Sequence, residues 1–171
     1  MPVTRLNHAV LYVRDVERSV AFYADALGFR TVSAMPGAAF LQASGSTNDH
    51  DLGLFEIGSE AAASTAGRGT VGLYHLAWEV DTLDELERIA RTLSDRGALH
   101  GASDHSTTKA LYAKDPDGIE FEVSWLVPAE LIDEATLAGR TKISPLDLQR
   151  EKERYGGQTR GGVGVSIPTI A

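Results

Sequence analysis

The chain has 171 residues, a hydrophobic fraction of 43% and a formal net charge of -8 at pH 7, which suits one globular domain with its own core and argues against nonspecific nucleic-acid binding. It contains no cysteine, which excludes disulfides, thiolate metal sites and a cysteine nucleophile. No apolar run reaches the roughly 20 residues that span a membrane, and the N-terminus has no signal-peptide core, so we expect a cytoplasmic protein without a membrane partner.

The first predicted repeat covers residues 4–58. It begins with an apolar strand that has His8 at its third position. Asp15 is the predicted N-cap of the helix that follows, and Gly28 is predicted to end that helix. Three strand-like runs complete the repeat, at 29–34, 38–43 and 51–57.

The second predicted repeat covers residues 70–126 and follows a linker at 58–69 that is rich in small and polar residues. It begins with an apolar strand that has His75 at its third position. Asp81 or Thr82 is the predicted N-cap of its helix. Three strand-like runs again complete the repeat, at 98–102, 109–113 and 118–126.

Each repeat therefore has the order β-α-β-β-β, which predicts an α+β fold. A four-stranded sheet with one helix has one covered face and one bare face, and two such sheets can join their bare faces into a half-open barrel around a cavity. His8 and His75 stand at the same place in the two repeats, so we expect both to point into that cavity. Alternation puts Val10 and Tyr12 on the side of His8.

Glu122, in the last predicted strand, completes a candidate metal site with His8 and His75. Two imidazoles and one carboxylate suit a divalent metal that keeps open positions, typically Fe(II), with Mn(II) as the alternative because ligand type separates these two metals poorly. Glu56 is a competing candidate ligand because it ends the last strand of the first repeat, as Glu122 ends that of the second.

These features resemble the vicinal oxygen chelate superfamily, which includes glyoxalase I, bleomycin-resistance proteins and type I extradiol ring-cleaving dioxygenases. The resemblance covers about residues 4–126, with 127–171 as a C-terminal extension. Its markers are the opening strand with His8, the run Phe22-Tyr23-x-x-x-Leu27-Gly28-Phe29, and the run Asp115-Pro116-Asp117-Gly118-x-x-x-Glu122.

A narrower resemblance points to the extradiol dioxygenases. The run that carries it is His105-x5-Leu111-Tyr112-x2-Asp115-Pro116-x-Gly118-x3-Glu122. It departs from the family signature at Ser103, where Gly, Asn, Thr or a branched apolar residue is usual. The resemblance implies that His105 and Tyr112 line the site beside the metal, which Glu122 ligates. His50, in His50-Asp51-Leu52-Gly53-Leu54, is similar to the acid–base histidine of that family.

The resemblance implies a single-domain, Fe(II)-dependent extradiol dioxygenase that acts on a catechol-type aromatic diol with O2. Two alternatives stay open: a glyoxalase-like lyase or isomerase whose metal ligands are His8, Glu56, His75 and Glu122, and a metal-free small-molecule binding protein of the resistance type. We also expect a homodimer, because open sheets leave edges that must be covered and related proteins usually pair.

The C-terminal extension is predicted to contain helices at 128–137 and 146–155, followed by a flexible glycine-rich tail at 156–171. Such a tail could cover the cavity mouth, exchange between subunits or have no role in the site. His100 matches no marker and is predicted to lie on the surface.

Overall fold

The computed structural model describes residues 2–3, 5–67, 69–163 and 165–166. The strands are β1 (Ala9–Val13), β2 (Arg30–Met35), β3 (Ala38–Gln42), β4 (Leu52–Glu56), β5 (Leu76–Glu79), β6 (Leu99–Asp104), β7 (Thr108–Lys114), β8 (Glu120–Leu126) and β9 (Ser144–Pro145). The helices are α1 (Val16–Leu27), α2 (Leu83–Asp95), α3 (Glu134–Gly139) and α4 (Leu148–Tyr155), and a 3-10 turn covers Ala129–Leu131. Among the described helices, none is long and apolar enough to cross a membrane.

The chain forms two compact units, each built on one predicted repeat. The first comprises the residues up to Thr65 together with Asp115–Ile119, and the second comprises Ala66–Lys114 together with the chain from Glu120 onward. The first sheet has the order β1-β4-β3-β2 and the second the order β5-β8-β7-β6-β9, and neither closes on itself. In each repeat the first and last strands pair in parallel and the other pairs are antiparallel. The α+β class and the two β-α-β-β-β repeats are confirmed.

The helices begin where the sequence predicts, because short polar side chains cap them. The Asp15 side chain accepts a hydrogen bond from the backbone N–H of Arg18 at the start of α1, and the Thr82 hydroxyl accepts one from Glu85 at the start of α2. Each bond satisfies a backbone donor that has no partner within the helix. Gly28 ends α1 in the left-handed conformation, with φ of 72°, which glycine adopts without strain.

The first sheet has one face against α1 and one bare face. Leu11 and Val13 are buried, whereas Val10 is 51% and Tyr12 70% exposed. The predicted alternation along β1 is therefore confirmed, and the homodimer stays a prediction.

Both predicted opening strands are wrong at their first residues. β1 begins at Ala9 and β5 at Leu76, so His8 and His75 each lie one residue before the strand and not at its third position. In the first unit the physical reason is pairing: the ladder of β1 with β4 starts at Ala9 and Leu52, and earlier residues have no ladder partner. The offset is the same in both repeats, so the two histidines keep equivalent positions.

The Asp-Pro-Asp-Gly turn before β8 belongs to the first unit and is fastened to it by charge. The Asp117 carboxylate accepts hydrogen bonds from the backbone N–H of Arg14 and from the guanidinium groups of Arg14 and Arg18, at 3.1, 2.9 and 2.7 Å. Tyr23 donates from its hydroxyl to Asp115 over 3.1 Å. Burial raises the pKa of both Asp115 and Tyr23. The turn therefore has a structural role beyond reversing the chain.

The glycine-rich tail packs against the second unit, so its predicted flexibility is wrong for the part that the structure describes, which ends at residue 166. The Trp125 indole N–H donates to the backbone carbonyl of Thr159 over 3.2 Å. Gly161 approaches so closely that an added Cβ would meet the Leu126 carbonyl oxygen at 1.9 Å. Small residues here permit close packing, which composition alone does not distinguish from flexibility. Residues 167–171 lie outside the described residues, and the boundary between 4–126 and 127–171 stays a prediction.

A buried ion cluster attaches α4 to the second sheet. The Lys109 ammonium nitrogen lies 2.6 Å from an Asp104 carboxylate oxygen and 2.8 Å from a Glu151 carboxylate oxygen. The side chains of Lys109 and Glu151 are 1% and 2% exposed. A cation at this depth requires its carboxylate partners, because desolvation of an unpaired charge is costly.

Lys109→Met is expected to lower the free energy of unfolding by about 3–5 kcal/mol, because it leaves two buried carboxylates without their cation. The matched control is Lys152→Met, which removes a lysine that pairs with Asp84 and Glu87 nearer the surface. Solvent screens that pair, so its loss should be much smaller. Urea denaturation measures both, and equal losses in the two variants would contradict the account of the cluster.

Candidate metal and substrate site

The second unit brings His75 and Glu122 together. Parallel pairing of β5 with β8 sets Ala77 beside Glu122, and His75 lies just before β5. The His75 Nε2 atom is 3.3 Å from a Glu122 carboxylate oxygen, and both side chains are largely buried. His75 Nδ1 is buried and has no hydrogen-bond partner among the described residues, so the ring is oriented by its Nε2 side, toward the carboxylate.

Tyr112 lies directly opposite Glu122, because β7 and β8 pair in antiparallel register at these two residues. Burial, followed by the charge of Glu122 and a hydrogen bond to it, raises the pKa of Tyr112 to about 12. The side chain is therefore a neutral phenol near neutral pH. Its single hydroxyl proton is donated to the Glu122 carboxylate, an acceptor that carries negative charge.

His105 extends this group at the turn between β6 and β7. Its Nε2 atom is 3.0 Å from the Tyr112 hydroxyl oxygen. Four side chains thus form a continuous row in the order His105, Tyr112, Glu122, His75, which we call the second-unit row. All four were predicted site residues.

The first unit brings His8 and His50 together. His8 precedes β1 and His50 precedes β4, and these strands are parallel neighbours. The two imidazole rings are 4.5 Å apart, and the His50 ring also meets the edge of Phe40, with ring centroids 5.1 Å apart. The group that we call the first-unit pair therefore combines two imidazoles with an aromatic neighbour.

Asp51 organises the loop that carries His50. Its buried carboxylate accepts hydrogen bonds from the Ala43 backbone N–H, the Ser46 hydroxyl and the Asn48 side-chain amide, at 2.8, 2.7 and 2.7 Å. The Asn48 amide also donates to the backbone carbonyl of Asn7, at 2.7 Å. The loop with His50 is thereby tied to the segment that ends in His8. Sequence reasoning did not single out Asp51, whose only signal is its place after the histidine in a polar loop.

Asp49 defines the chemistry of the His50 ring. The His50 Nδ1 atom is 2.9 Å from an Asp49 carboxylate oxygen, so Nδ1 carries the proton in the hydrogen-bonded neutral ring and Nε2 carries the lone pair. This arrangement makes His50 suitable to accept a proton at Nε2. Asp49 was also missed by sequence reasoning.

Glu56 is engaged in the fold. One of its carboxylate oxygens accepts a hydrogen bond from the backbone N–H of Val16, at 3.0 Å, which stabilises the start of α1. Its neighbour Phe55 lies on the other face of β4, with its ring 5.9 Å from that of Phe40. Glu56 therefore lies on the face of the sheet that packs against α1.

His75 and Glu122 are the two candidate metal donors that lie together in the second unit. Among the residues that the structure describes, no group of three or more His, Cys, Asp or Glu side chains lies close enough to hold an ion. Within the second unit, however, a facing imidazole nitrogen and carboxylate oxygen on His75 and Glu122 supply two donors of the type that divalent Fe and Mn accept. The chemistry of these two donors suits such a metal, and the ligand set of His75, Glu122 and His8 stays a prediction. His100 is half exposed and only 3.8 Å from Glu120.

The family of the chain follows from comparison with known proteins. The model of the Glyoxalase/Bleomycin resistance protein/Dioxygenase superfamily matches residues 5–123. The chain belongs to this superfamily. The predicted vicinal oxygen chelate resemblance is thereby confirmed.

Three curated relatives are named as dioxygenases. The chain is 32% identical over 120 residues to the catechol-2,3-dioxygenase of Bacillus subtilis strain 168, covering 70% of this chain and 41% of that protein. It is 32% identical to the biphenyl-2,3-diol 1,2-dioxygenase 3 of Rhodococcus globerulus, covering 78% of this chain and 71% of that protein. It is 25% identical to a manganese-dependent 2,3-dihydroxybiphenyl 1,2-dioxygenase of Geobacillus genomosp. 3, covering 71% and 36%. The chain thus spans about two fifths of two of these relatives.

Solved structures share the fold at lower identity. A glyoxylase/bleomycin resistance protein/dioxygenase domain from Frankia sp. EAN1pec is 20% identical with a TM-score of 0.62, covering 74% of this chain and 94% of that chain. A lactoylglutathione lyase from Agrobacterium tumefaciens is 22% identical with a TM-score of 0.54, covering 73% and 96%. These likenesses define the fold and leave the reaction open.

Glu56→Ala is expected to lower the free energy of unfolding by about 1 kcal/mol, because the Val16 N–H loses a charged acceptor. The metal content of the purified protein should stay that of the wild type. Glu56→Gln, which keeps an acceptor oxygen, is the matched control and should cost less stability. Loss of metal in Glu56→Ala would instead assign Glu56 as a ligand.

Proposed function

We propose that the protein is a metal-dependent extradiol dioxygenase that cleaves the ring of a catechol-type aromatic diol with O2. The observation that carries this proposal is the second-unit row, in which His105, Tyr112, Glu122 and His75 are in continuous contact. A metal site that only supported the fold would not need a phenol and a second imidazole beside its carboxylate. The names of the relatives support the same reaction class.

In this proposal His8, His75 and Glu122 hold Fe(II) or Mn(II). The metal supplies Lewis acidity toward the diol oxygens and a route for electrons from the ring to dioxygen. A relative described as manganese-dependent keeps Mn(II) as a candidate. His75 and Glu122 need no rearrangement toward each other to act together, because their donor atoms are already 3.3 Å apart.

His50 is proposed as the acid–base residue. Its Nε2 lone pair accepts a proton from a diol hydroxyl, and its Nδ1–H stays hydrogen-bonded to Asp49. The Asp49 side chain is 92% exposed, so its role is to orient the ring through this hydrogen bond, because solvent screens its charge. The same Nε2 can return the proton later in the reaction, because an imidazole can act as general base and then as general acid.

Tyr112 and His105 are proposed to stabilise negative charge on the substrate. A phenol whose pKa is about 12 stays protonated, so Tyr112 can turn its hydrogen bond from Glu122 to a diol oxygen that has lost its proton, once the Glu122 carboxylate is engaged as a ligand. His105 lies 3.0 Å from the Tyr112 hydroxyl and fixes the direction of that donor.

The geometry of Glu56 argues against the glyoxalase-like alternative. That reaction would use Glu56 as a fourth metal ligand, but its carboxylate caps α1. The metal-free binding alternative does not account for a buried imidazole that faces a carboxylate on neighbouring strands.

His8→Ala, His75→Ala and Glu122→Ala are each expected to abolish metal retention, because each removes one of three donors. Far-UV circular dichroism should stay that of the wild type, since the sheet cores are apolar. The matched control is another His–Glu pair of the same sheet: His100→Ala and Glu120→Ala should retain the metal. Metal analysis of anaerobically purified protein measures this, and retention in His75→Ala would refute the ligand set.

His50→Ala is expected to lower turnover of a catechol by roughly the 10²–10⁴-fold that an acid–base group contributes, with metal content unchanged. Tyr112→Phe and His105→Ala should also lower turnover, since each removes a hydrogen bond near developing charge. An oxygen electrode and the absorbance of the ring-opened product follow the reaction. If metal-loaded wild-type protein consumes no dioxygen with any catechol tried, the proposed function is wrong.

A further inference from the structure

The turn that carries His105 contains an unusual backbone conformation. Ser106 has φ of 68°, and it is the one residue other than glycine among those described with a positive φ. L-residues adopt this left-handed region rarely. Such a conformation persists when surrounding contacts hold it, so the contacts of Ser106 indicate what holds His105 in place.

One contact of Ser106 lies within the turn, and two neighbouring interactions support it. The Asp104 carboxylate accepts a hydrogen bond from the Ser106 backbone N–H over 2.7 Å. The same oxygen is 2.6 Å from the Lys109 ammonium. The backbone N–H of His105 donates to the carbonyl of Thr108 over 2.9 Å. These bonds close the turn and do not involve the Ser106 hydroxyl.

The remaining contacts come from the C-terminal segment 133–155, which we call the C-terminal clamp. The Ser106 hydroxyl donates to the backbone carbonyl of Thr136 in α3 over 2.6 Å. Gly139, at the end of α3, lies so close that an added Cβ would be 2.5 Å from the Ser106 hydroxyl oxygen.

The clamp is itself held on the sheet near this turn. Arg154 of α4 donates to the Thr136 hydroxyl over 3.0 Å. Glu151 of α4 pairs with Lys109, and β9 pairs with the end of β6, where Ser144 lies beside Asp104. The clamp therefore contacts the backbone next to the turn, through β9, and the buried Lys109 ammonium, through Glu151.

We propose that the C-terminal clamp is a positioning element for His105, with Ser106 as the positioning residue through which it acts. By holding Ser106 in the left-handed conformation, the clamp sets the His105 ring at hydrogen-bond distance from the Tyr112 hydroxyl. The effect of the His105 position on turnover rests on the proposed function. The position of His105 itself does not rest on that function, because it is a property of the unliganded protein.

The first test reads the His105 ring directly. Long-range 1H–15N spectra of the labelled, metal-free protein report the Nε2 signal of His105, which is assigned by its absence in His105→Gln. The single substitution Tyr112→Phe should shift this signal from its position in the wild-type spectrum. In Ser106→Ala and in Gly139→Ala the signal should already be displaced, and adding Tyr112→Phe should move it little. Gly67→Ala is the control, because an added Cβ there meets nothing within 4 Å.

A double substitution separates positioning from general destabilisation. Gly139→Ala inserts a methyl group against the Ser106 hydroxyl, so its effect on the His105 signal should vanish when Ser106→Gly has removed that hydroxyl. If Gly139→Ala acted through a general folding defect, its effect on the His105 signal would persist in the Ser106→Gly background and add to the effect of that substitution. An unchanged His105 signal in both Ser106→Ala and Gly139→Ala would overturn the proposal.

The kinetic test follows on metal-loaded protein. Ser106→Ala should lower kcat by up to about 10²-fold, the loss expected for a displaced group in an active site, at unchanged metal content. In a His105→Ala background it should cause no further loss, and a further loss of the same size would overturn the proposal. If the wild type cleaves no diol, the proposed function fails while the spectra still decide whether the clamp positions His105.

Discussion

Parallel pairing of the first and last strands of each repeat is the constraint on which the candidate site depends. In the first unit, pairing of β1 with β4 brings together the two chain segments that end in His8 and His50. In the second, pairing of β5 with β8 brings His75 to Glu122. This pairing joins the first and last strands of a β-α-β-β-β repeat, so residues that are distant in sequence come together at neighbouring strands. The two repeats thus produce two groups of polar side chains by one topological rule.

Carboxylate groups then determine the protonation and the orientation of the side chains that the strands bring together. Glu122 raises the pKa of Tyr112, in addition to the effect of burial, and keeps that side chain a hydrogen-bond donor. Asp49 orients the His50 ring from its Nδ1 side. A carboxylate that the sequence offered as a ligand, Glu56, is instead used to cap a helix. The carboxylate group therefore has three roles in this protein, and the atom that each carboxylate faces decides which role it has.

Much of this was predictable from the sequence. The helix starts were predicted through Asp15 for α1 and through Asp81 or Thr82 for α2, and the side chains of Asp15 and Thr82 do satisfy backbone donors locally. Local interactions are what sequence patterns report best. The group of His75, Glu122, Tyr112 and His105 was indicated by the repeat and by family resemblance. The strand starts were not, because β1 begins only where β4 provides a partner. The ordered tail was also not predictable, since the fit of Gly161 against Leu126 depends on the tertiary structure. The left-handed Ser106 has no sequence signal, because serine seldom adopts that conformation.

The central claim is that His75 and Glu122, with His8, bind a catalytic metal. X-ray absorption spectroscopy of protein loaded with Fe(II) under anaerobic conditions tests it most directly, because the outer-shell scattering of imidazole counts histidine ligands. The account predicts two imidazole ligands per metal ion in the wild type. When His75→Ala is loaded at high metal concentration, the metal that it retains should have one imidazole ligand fewer. It predicts two in His50→Ala and in His105→Ala. A wild-type spectrum with no imidazole, or one that changes in His50→Ala while staying the same in His75→Ala, would contradict the account.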